Sequence, residues 1–275
     1  MTSAQLSKLE GVMVAAACKA GELLREKYRN ALQIDYKTER EPVSEVDKAS
    51  EEIIIDTIRK SYPDHHVFSE ETETDMDYSQ SRDIPLWFID PLDGTMNFLR
   101  GFSFFCVGIG FYDRGTAEAA TIYDPVHDEL FTARKGDGTK LNGAPVQVSH
   151  TETLINALLA TGFPFVREAG NDNTDHIAHM VPLCSDLRRT ASGLLDLAYT
   201  ACGRFDGYFE HELGPHDTGP GVLLVHEAGG RVSDYRGEEY HPFKRDLCAT
   251  NGAIHDRVIE ILQKGKSGLN GLLRA

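Results

Sequence analysis

The run Trp87-Phe88-Ile89-Asp90-Pro91-Leu92-Asp93-Gly94-Thr95 constrains this chain more than any other stretch. A short, aromatic-rich apolar segment bounded at its far end by Pro and Gly predicts a buried strand. Pro91 has no N–H and cannot continue a sheet ladder, which predicts a turn there. Such a turn brings Asp90 and Asp93 out together at the strand end, where open α/β sheets hold their ligands. Two carboxylates forced together repel unless a proton or a cation lies between them. Hard oxygen ligands favour magnesium, manganese or calcium. The N–H groups of Gly94 and Thr95 would then face outward as phosphate donors. An ordinary Asp-rich turn is the alternative that this stretch alone leaves open.

The 275 residues, 41% hydrophobic, suffice for a packed core. We expect a single domain over 1–275, with an N-terminal half of about 1–150, a C-terminal half of about 151–265 and a loose tail over 266–275. A net charge of −15 with no long basic run disfavours direct nucleic-acid binding, which needs Lys and Arg against phosphates. The five cysteines (Cys18, Cys106, Cys184, Cys202, Cys248) are scattered, odd in number and never spaced as Cys-x-x-Cys. They predict reduced packing residues of a cytoplasmic protein. No apolar run reaches membrane-spanning length. Val12 to Cys18 has the look of a lipoprotein cleavage region, but Glu10 and Lys19 flank it closely and a buried helical face is the expectation.

Leu6, Leu9, Val12, Met13, Ala16, Ala20, Leu23 and Leu24 fall at helical spacing and predict a first helix ending near Asn30. Ser44-Glu45-Val46-Asp47 opens a second helix running to about Tyr62, in which Asp47 could simply complement the N-terminus. Val67-Phe68 predict a strand delivering Glu70 and Glu71, with a solvated acidic cluster (Glu73, Asp75, Asp77) behind it. Phe104–Tyr112, Ala119–Tyr123, Glu129–Ala133 and Val146–Val148 predict four closely spaced strands, hence an antiparallel meander and mixed rather than purely parallel sheets. Gly108 and Gly110 do not make a dinucleotide fingerprint, because Asp113 stands where its third Gly belongs. In the second half, strands are expected at Leu158–Thr161, Asp206–Phe209, Val232–Asp234 and Leu247–Thr250. Helices are expected around Ile177–Cys184, Ser192–Gly203, Val222–Ala228 and His255–Lys264. His176 and His179 read as surface or partly buried side chains, and Pro220 is placed in a helix's first turn, where Pro is tolerated.

Asp90-Pro91-Leu92-Asp93-Gly94-Thr95-Met96-Asn97-Phe98, Ser69-Glu70-Glu71 and Asp217 through Glu227-Ala228-Gly229-Gly230 together resemble the motifs of the inositol monophosphatase family. Arg188-Arg189-Thr190, Asp196-Leu197-Ala198-Tyr199 and Asp206-Gly207-Tyr208-Phe209-Glu210 are similar to its bacterial inositol-1-monophosphatase branch. The resemblance implies an α/β fold layered as an αβαβα sandwich and hydrolysis of inositol monophosphate by metal-activated water. It implies two to three Mg2+ ions, with Mn2+ possible. Glu70, Asp90 and the Leu92 carbonyl would hold one; Asp90, Asp93 and Asp217 a second; Asp47 with Glu70 a third. Thr95 would orient the water, Gly94 and Thr95 bind phosphate, and Glu210 contact a hydroxyl of the alcohol, with Asp93, Ala191 and Ser192 near the substrate. A homodimer and lithium sensitivity are further family expectations. Fructose-1,6-bisphosphate, histidinol phosphate and nucleotide 3′-phosphates are alternative substrates, with Arg167, Arg188 and Arg189 as contacts for a second phosphate. A regulatory partnership with the transcription or translation machinery is an alternative of another class. Three departures stand out: His216 for the family's Trp, Gly219-Pro220-Gly221 for Ala-Ala-Gly, and Ala191-Ser192-Gly193 for Gly-Ser/Thr-Ala. All three are expected near the alcohol part of the substrate.

Overall fold

The computed structural model describes residues 1–30, 34–36, 42–72, 76–164 and 173–264. Helix α1 (Ser3–Lys27) is capped by Thr2, whose hydroxyl accepts from Gln5 N at 3.3 Å while the Gln5 side chain accepts from Thr2 N at 2.8 Å. Its buried stripe includes Leu6, Leu9, Met13, Ala16, Ala20 and Leu24, so the Val12–Cys18 region is a helix packed on the core. The short strands β1 (Ile34–Tyr36) and β2 (Pro42–Ser44) pair antiparallel and lead into α2 (Glu45–Arg59). Next come β3 (His66–Ser69), the single turn α3 (Tyr78–Ser81), β4 (Pro85–Asp93) and the short α4 (Thr95–Leu99). A meander follows: β5 (Cys106–Asp113), β6 (Thr116–Asp124), β7 (Glu129–Arg134), β8 (Gly138–Leu141) and β9 (Ala144–Val146). The last expected strand of that series therefore begins earlier than Val146, and Gly138–Leu141 adds a hairpin partner that the glycine-rich spacing concealed.

The second half contains β10 (Leu158–Thr161), α5 (Thr174–Met180), β11 (Asp186–Arg189), α6 (Gly193–Ala201), β12 (Gly207–His211), α7 (Pro215–Glu227), β13 (Arg231–Ser233), β14 (Asp246–Thr250) and α8 (His255–Leu262). Among the described residues, β3 to β9 form one sheet in sequence order, parallel only between β3 and β4. A second sheet has the order β11-β10-β12-β14-β13, parallel across its first three strands. Alternation along each strand then dictates the layers. Val107, Ile109 and Phe111 of β5 pack beneath α1 and α2. The opposite face of the same sheet, with Cys106, Ile122 and Phe131, packs on Leu194 and Leu197 of α6 and Val222 and Val225 of α7. Those helices also cover Ala160, Tyr208 and Ala249 of the second sheet. Its outer face, with Leu159, Phe209 and Cys248, packs on Met180 of α5 and Ile259 and Ile261 of α8. The result is an αβαβα sandwich, and all five cysteines are free.

Several local expectations change. Helix α7 begins at Pro215, so Pro220 lies in its second turn instead of its first. His179 is 1% exposed, not a surface group, because α5 packs against α8, and neither ring nitrogen finds a hydrogen-bond partner among the described residues. Asp206 precedes β12 and serves the fold, accepting from Ser149 Oγ at 2.5 Å and Leu158 N at 2.7 Å. Asp77 caps α3, accepting from Gln80 N, whereas Glu73, Asp75 and the tail over 266–275 lie outside the described residues. No helix among the described residues is long and apolar enough to cross a membrane.

His255 at the start of α8 is buried between two hydroxyls, with Nε2 2.9 Å from Ser233 Oγ and Nδ1 3.0 Å from Thr250 Oγ1. Ser233 spends its proton on the Asp234 carbonyl and Thr250 already accepts from Gly252 N. The network therefore suits the neutral imidazole, with Nε2–H donating and Nδ1 accepting. Burial lowers the His255 pKa from 6.5 to about 4. A lowered histidine gives stability that is complete above the unfolded value and is lost as pH falls from there through the folded value. Urea denaturation should show the advantage of wild type over His255→Gln shrinking by up to about 3 kcal/mol between pH 7 and pH 4. A difference independent of pH would mean that His255 does not titrate in this way.

Candidate functional site

The site grows from the end of β4. Asp90 pairs with Gly108 of β5, and the next register pair is Asp93 with Cys106, so Pro91 and Leu92 together oppose one residue. That is a β-bulge. The chain does not turn away at Pro91 as expected; the bulge absorbs the missing donor, and the Pro91 carbonyl is held by Ser50 Oγ of α2 at 2.7 Å. Gly94 then adopts φ +92°, and a Cβ there would lie 2.9 Å from the Phe104 carbonyl, so only glycine makes this exit into α4 without strain. The parallel neighbour β3 ends one register step earlier and places Glu70 beside this segment, with Glu70 N donating to Ile89 O at 3.3 Å. Asp217 enters from the first turn of α7, where its Oδ2 accepts from Gly214 N at 2.5 Å.

Glu70, Asp90, Asp93 and Asp217 line one cleft of about 570 Å³, together with Leu92, Gly94 and Thr95. Asp90 is 2% exposed, and burial pushes its pKa well above the usual carboxylate range, reinforced by the charges of Glu70, Asp93 and Asp217. Burial also raises Asp93, to about 7, against the pull of its hydrogen bonds. Asp93 Oδ2 accepts from Ser192 Oγ at 2.6 Å and Leu194 N at 2.8 Å, with the Cys106 thiol 3.7 Å away. Among the described residues, no three Asp, Glu, His or Cys side chains close round one metal-sized point. The donors are all carboxylate and carbonyl oxygens, which fits a hard divalent cation and no soft one.

Asp47 sits one layer behind. It is fully buried, its Oδ2 accepts from Ser44 N and Oγ at 2.8 and 2.6 Å, and its Oδ1 accepts from Thr95 Oγ1 at 3.0 Å. The helix-capping role and the link to Thr95 are thus held by one side chain. Burial raises its pKa, the Ser44 bonds opposing and the Glu70 charge adding.

The same cleft is lined by Ala191, Ser192, Gly193, Tyr208, Glu210 and Arg189. Asn97 ties it to α4, its Nδ2 donating to the Phe104 and Thr190 carbonyls at 2.7 Å each. Of the arginines considered for a second phosphate, Arg189 lines the cleft, 5.8 Å over the Phe163 ring. Arg188 is exposed and paired with Asp186 at 2.5 Å, and Arg167 lies outside the described residues. Gly219, Pro220 and Gly221 do not lie by the alcohol end. They are buried where α7 packs on β4, β5 and α6, with a Cβ on Gly219 coming within 2.7 Å of Phe88 and one on Gly221 within 2.5 Å of Leu197. His216 does not line the cleft wall; it stacks on Phe68, ring centroids 6.4 Å apart, with its Nε2 3.5 Å from Asp217 Oδ1. Tyr208, Phe163 and Leu213 were not singled out from the sequence; Tyr208 alone carried a signal, two residues before Glu210 on one strand face.

Comparison with known proteins agrees with this architecture. The Nus factor SuhB of Escherichia coli (strain K12) is 42% identical over 250 residues, covering 88% of this chain and 91% of that protein. Inositol monophosphatase 3 of Solanum lycopersicum is 38% identical over 262 residues, covering 92% and 96%. The crystal structure of the extragenic suppressor protein suhB from Bartonella henselae superposes with a TM-score of 0.87 at 36% identity, covering 94% of this chain and 99% of that one. The model of the inositol monophosphatase family matches residues 5–267. By fold, by motif order and by this match over nearly its whole length, the chain belongs to the inositol monophosphatase family.

Proposed function

We propose that this protein is a magnesium-dependent phosphomonoesterase acting on inositol monophosphate or a closely related polyol phosphate. One observation carries the reading: four carboxylates from three distant parts of the chain face one cleft beside the Gly94–Thr95 backbone. In this reading Glu70, Asp90 and the Leu92 carbonyl would hold one magnesium, Asp90, Asp93 and Asp217 a second, and Glu70 would help with a third, while Asp47, behind the cleft wall, acts through Thr95. Bound there, magnesium supplies charge neutralisation of the phosphoryl group, a lowered water pKa and stabilisation of the leaving oxygen. Thr95 Oγ1 lies 3.0 Å from both Asp47 Oδ1 and the Leu92 carbonyl; donating to Asp47 leaves its lone pairs to accept from the attacking water. The proton leaving that water then has a carboxylate at the far end of the relay. Backbone N–H groups of Gly94 and Thr95 bind phosphoryl oxygens, and Glu210 accepts from a hydroxyl of the leaving alcohol, with Ala191 and Ser192 as its wall. Water displaces the alcohol in one in-line step, with no phosphoenzyme.

The test is phosphate release in magnesium from inositol-1-phosphate, fructose-1,6-bisphosphate, histidinol phosphate and adenosine 3′,5′-bisphosphate, with Asp93→Asn as control. Preference for inositol-1-phosphate, lost in the control, is the expected result. Preference for a bisphosphate would move the substrate assignment to a Arg189-assisted second phosphate. No release from any of them, with magnesium binding demonstrated, would overturn the assignment to these substrates.

A second reading is favoured by the name Nus factor carried by the 42% identical relative. In it the protein serves the transcription or translation machinery as a partner. With a net charge of −15, such a role would run through protein contacts, not through phosphate backbones. Capture of the same partners by wild type and Asp93→Asn would support it; capture by neither would count against it.

A further inference from the structure

We infer that the Tyr208 hydroxyl positions the Glu210 carboxylate, and that Gly162 and Gly193 are glycines because a Cβ at either would displace this pair. The inference rests on the phosphomonoesterase reading above. Tyr208 and Glu210 lie two apart on β12 and so share a face of the sheet, the one turned to the cleft. Tyr208 Oη donates to Glu210 Oε2 at 2.7 Å. The Glu210 carboxylate fills the space over Gly162: a Cβ there would lie 1.9 Å from Oε2 and 2.1 Å from Oε1. On the other side, a Cβ on Gly193 would come within 2.7 Å of Tyr208 Oη. Neither glycine adopts a left-handed φ, so backbone conformation does not call for glycine at either place. Space does.

The consequence is chemical. Gly162 lets the carboxylate lie back against β10, and Tyr208 takes one of its oxygens. The other oxygen is left as an acceptor of fixed direction. An acceptor-only group reads a donor, which on a phosphate ester means a hydroxyl on the alcohol beyond the ester carbon. Polyol monophosphates satisfy it; an ester of an alcohol without further hydroxyls does not. Burial raises the Glu210 pKa to about 7 while the Tyr208 bond opposes the rise, so the same hydroxyl helps to keep the acceptor ionised. Tyr208 is therefore a positioning residue that acts through Glu210.

The test compares wild type, Tyr208→Phe and Gly162→Ala on inositol-1-phosphate and p-nitrophenyl phosphate in magnesium. Tyr208→Phe removes only the hydroxyl and should raise KM for inositol-1-phosphate about fivefold, with a smaller change in kcat. Its selectivity for inositol-1-phosphate over p-nitrophenyl phosphate should fall by the same factor. Gly162→Ala pushes the carboxylate forward and should shift selectivity in the same direction. Equal losses on both substrates in both variants would make the pair merely structural and overturn the inference. If wild type releases phosphate from p-nitrophenyl phosphate but from no polyol phosphate, the phosphatase reading survives and the inference fails. If it releases none from either, the phosphatase reading fails and the inference falls with it.

Discussion

Asp90→Asn is expected to abolish magnesium-dependent phosphate release, by on the order of 10³-fold or more, and at the same time to raise the melting temperature of the metal-free protein. Both effects have one cause. Asp90 is buried among Glu70, Asp93 and Asp217, whose charges oppose its ionisation. A bound cation would relieve that repulsion; an amide relieves it permanently and forfeits the candidate ligand. Asn keeps the acceptor for Leu92 N, now 3.1 Å from Asp90 Oδ1, so the bulge survives. The pH dependence follows with its sign. A carboxylate raised in the folded state is bound to its proton more tightly there than in the unfolded chain, so stability falls as pH rises between the two values. For Asp93 that window runs from the ordinary value of 3.8 to about 7, and Asp90 acts in the same direction. Thermal melts in EDTA should therefore show Asp90→Asn gaining most at pH 7 and little at pH 4, at about 3 °C per kcal/mol. A variant no more stable than wild type at pH 7 would show that the carboxylates do not strain the metal-free fold. His255 imposes the opposite slope, so each effect is read from its variant and not from the wild-type curve.

Gly110→Val is expected to destabilise the protein by about 3 kcal/mol or more and to weaken magnesium binding, although Gly110 touches no candidate ligand. A Cβ on Gly110 would lie 2.7 Å from the Gly219 carbonyl oxygen, 2.9 Å from its carbon and 3.0 Å from Pro220 Cα. These are backbone atoms of α7 and cannot rotate aside. Gly219 is itself pressed against the Phe88 ring, so the helix cannot slide along the sheet to escape. It must lift, and its first turn carries Asp217. Urea denaturation measures the first effect and calorimetric magnesium titration the second. Normal magnesium affinity in a folded but destabilised variant would separate helix packing from the site.

Much of this arrangement was legible because its causes are local. The apolar spacing of α1, the aromatic run of β4 and the stop at Gly229 report burial patterns that neighbouring residues enforce. What escaped depends on distant partners. β11 reads Asp-Leu-Arg-Arg, a polar edge strand that pairs, among the described residues, only in parallel with β10, so no alternation announces it. The bulge at Pro91 was invisible because a proline marks a break unless a neighbouring strand accommodates the extra residue. Gly219-Pro220-Gly221 looked like substrate-side variation, yet its meaning lies in Gly108 and Gly110 more than a hundred residues away. For the candidate site, Asp90 and Asp93 were marked by their own motif. Glu70 and Asp217 acquired weight only through motif order, since spacing along the chain says nothing about which strand end and which helix start will meet. Tyr208, Gly162 and Gly193 form one arrangement that no single segment contains.

The central helix layer has a consequence for how the chain is made. The inner face of the first sheet, with Ile122 and Phe131, is covered by α6 and α7, which are encoded well after that sheet is complete. About 80 residues separate the end of β9 from the end of α7, or roughly 4–16 s of ribosomal synthesis. During those seconds a nascent chain holds a finished meander with one oily side bare. Premature termination in this interval leaves a product that can hide that side only against another molecule, so truncated chains should be cleared or aggregate, and translation speed through residues 147–227 becomes a determinant of yield.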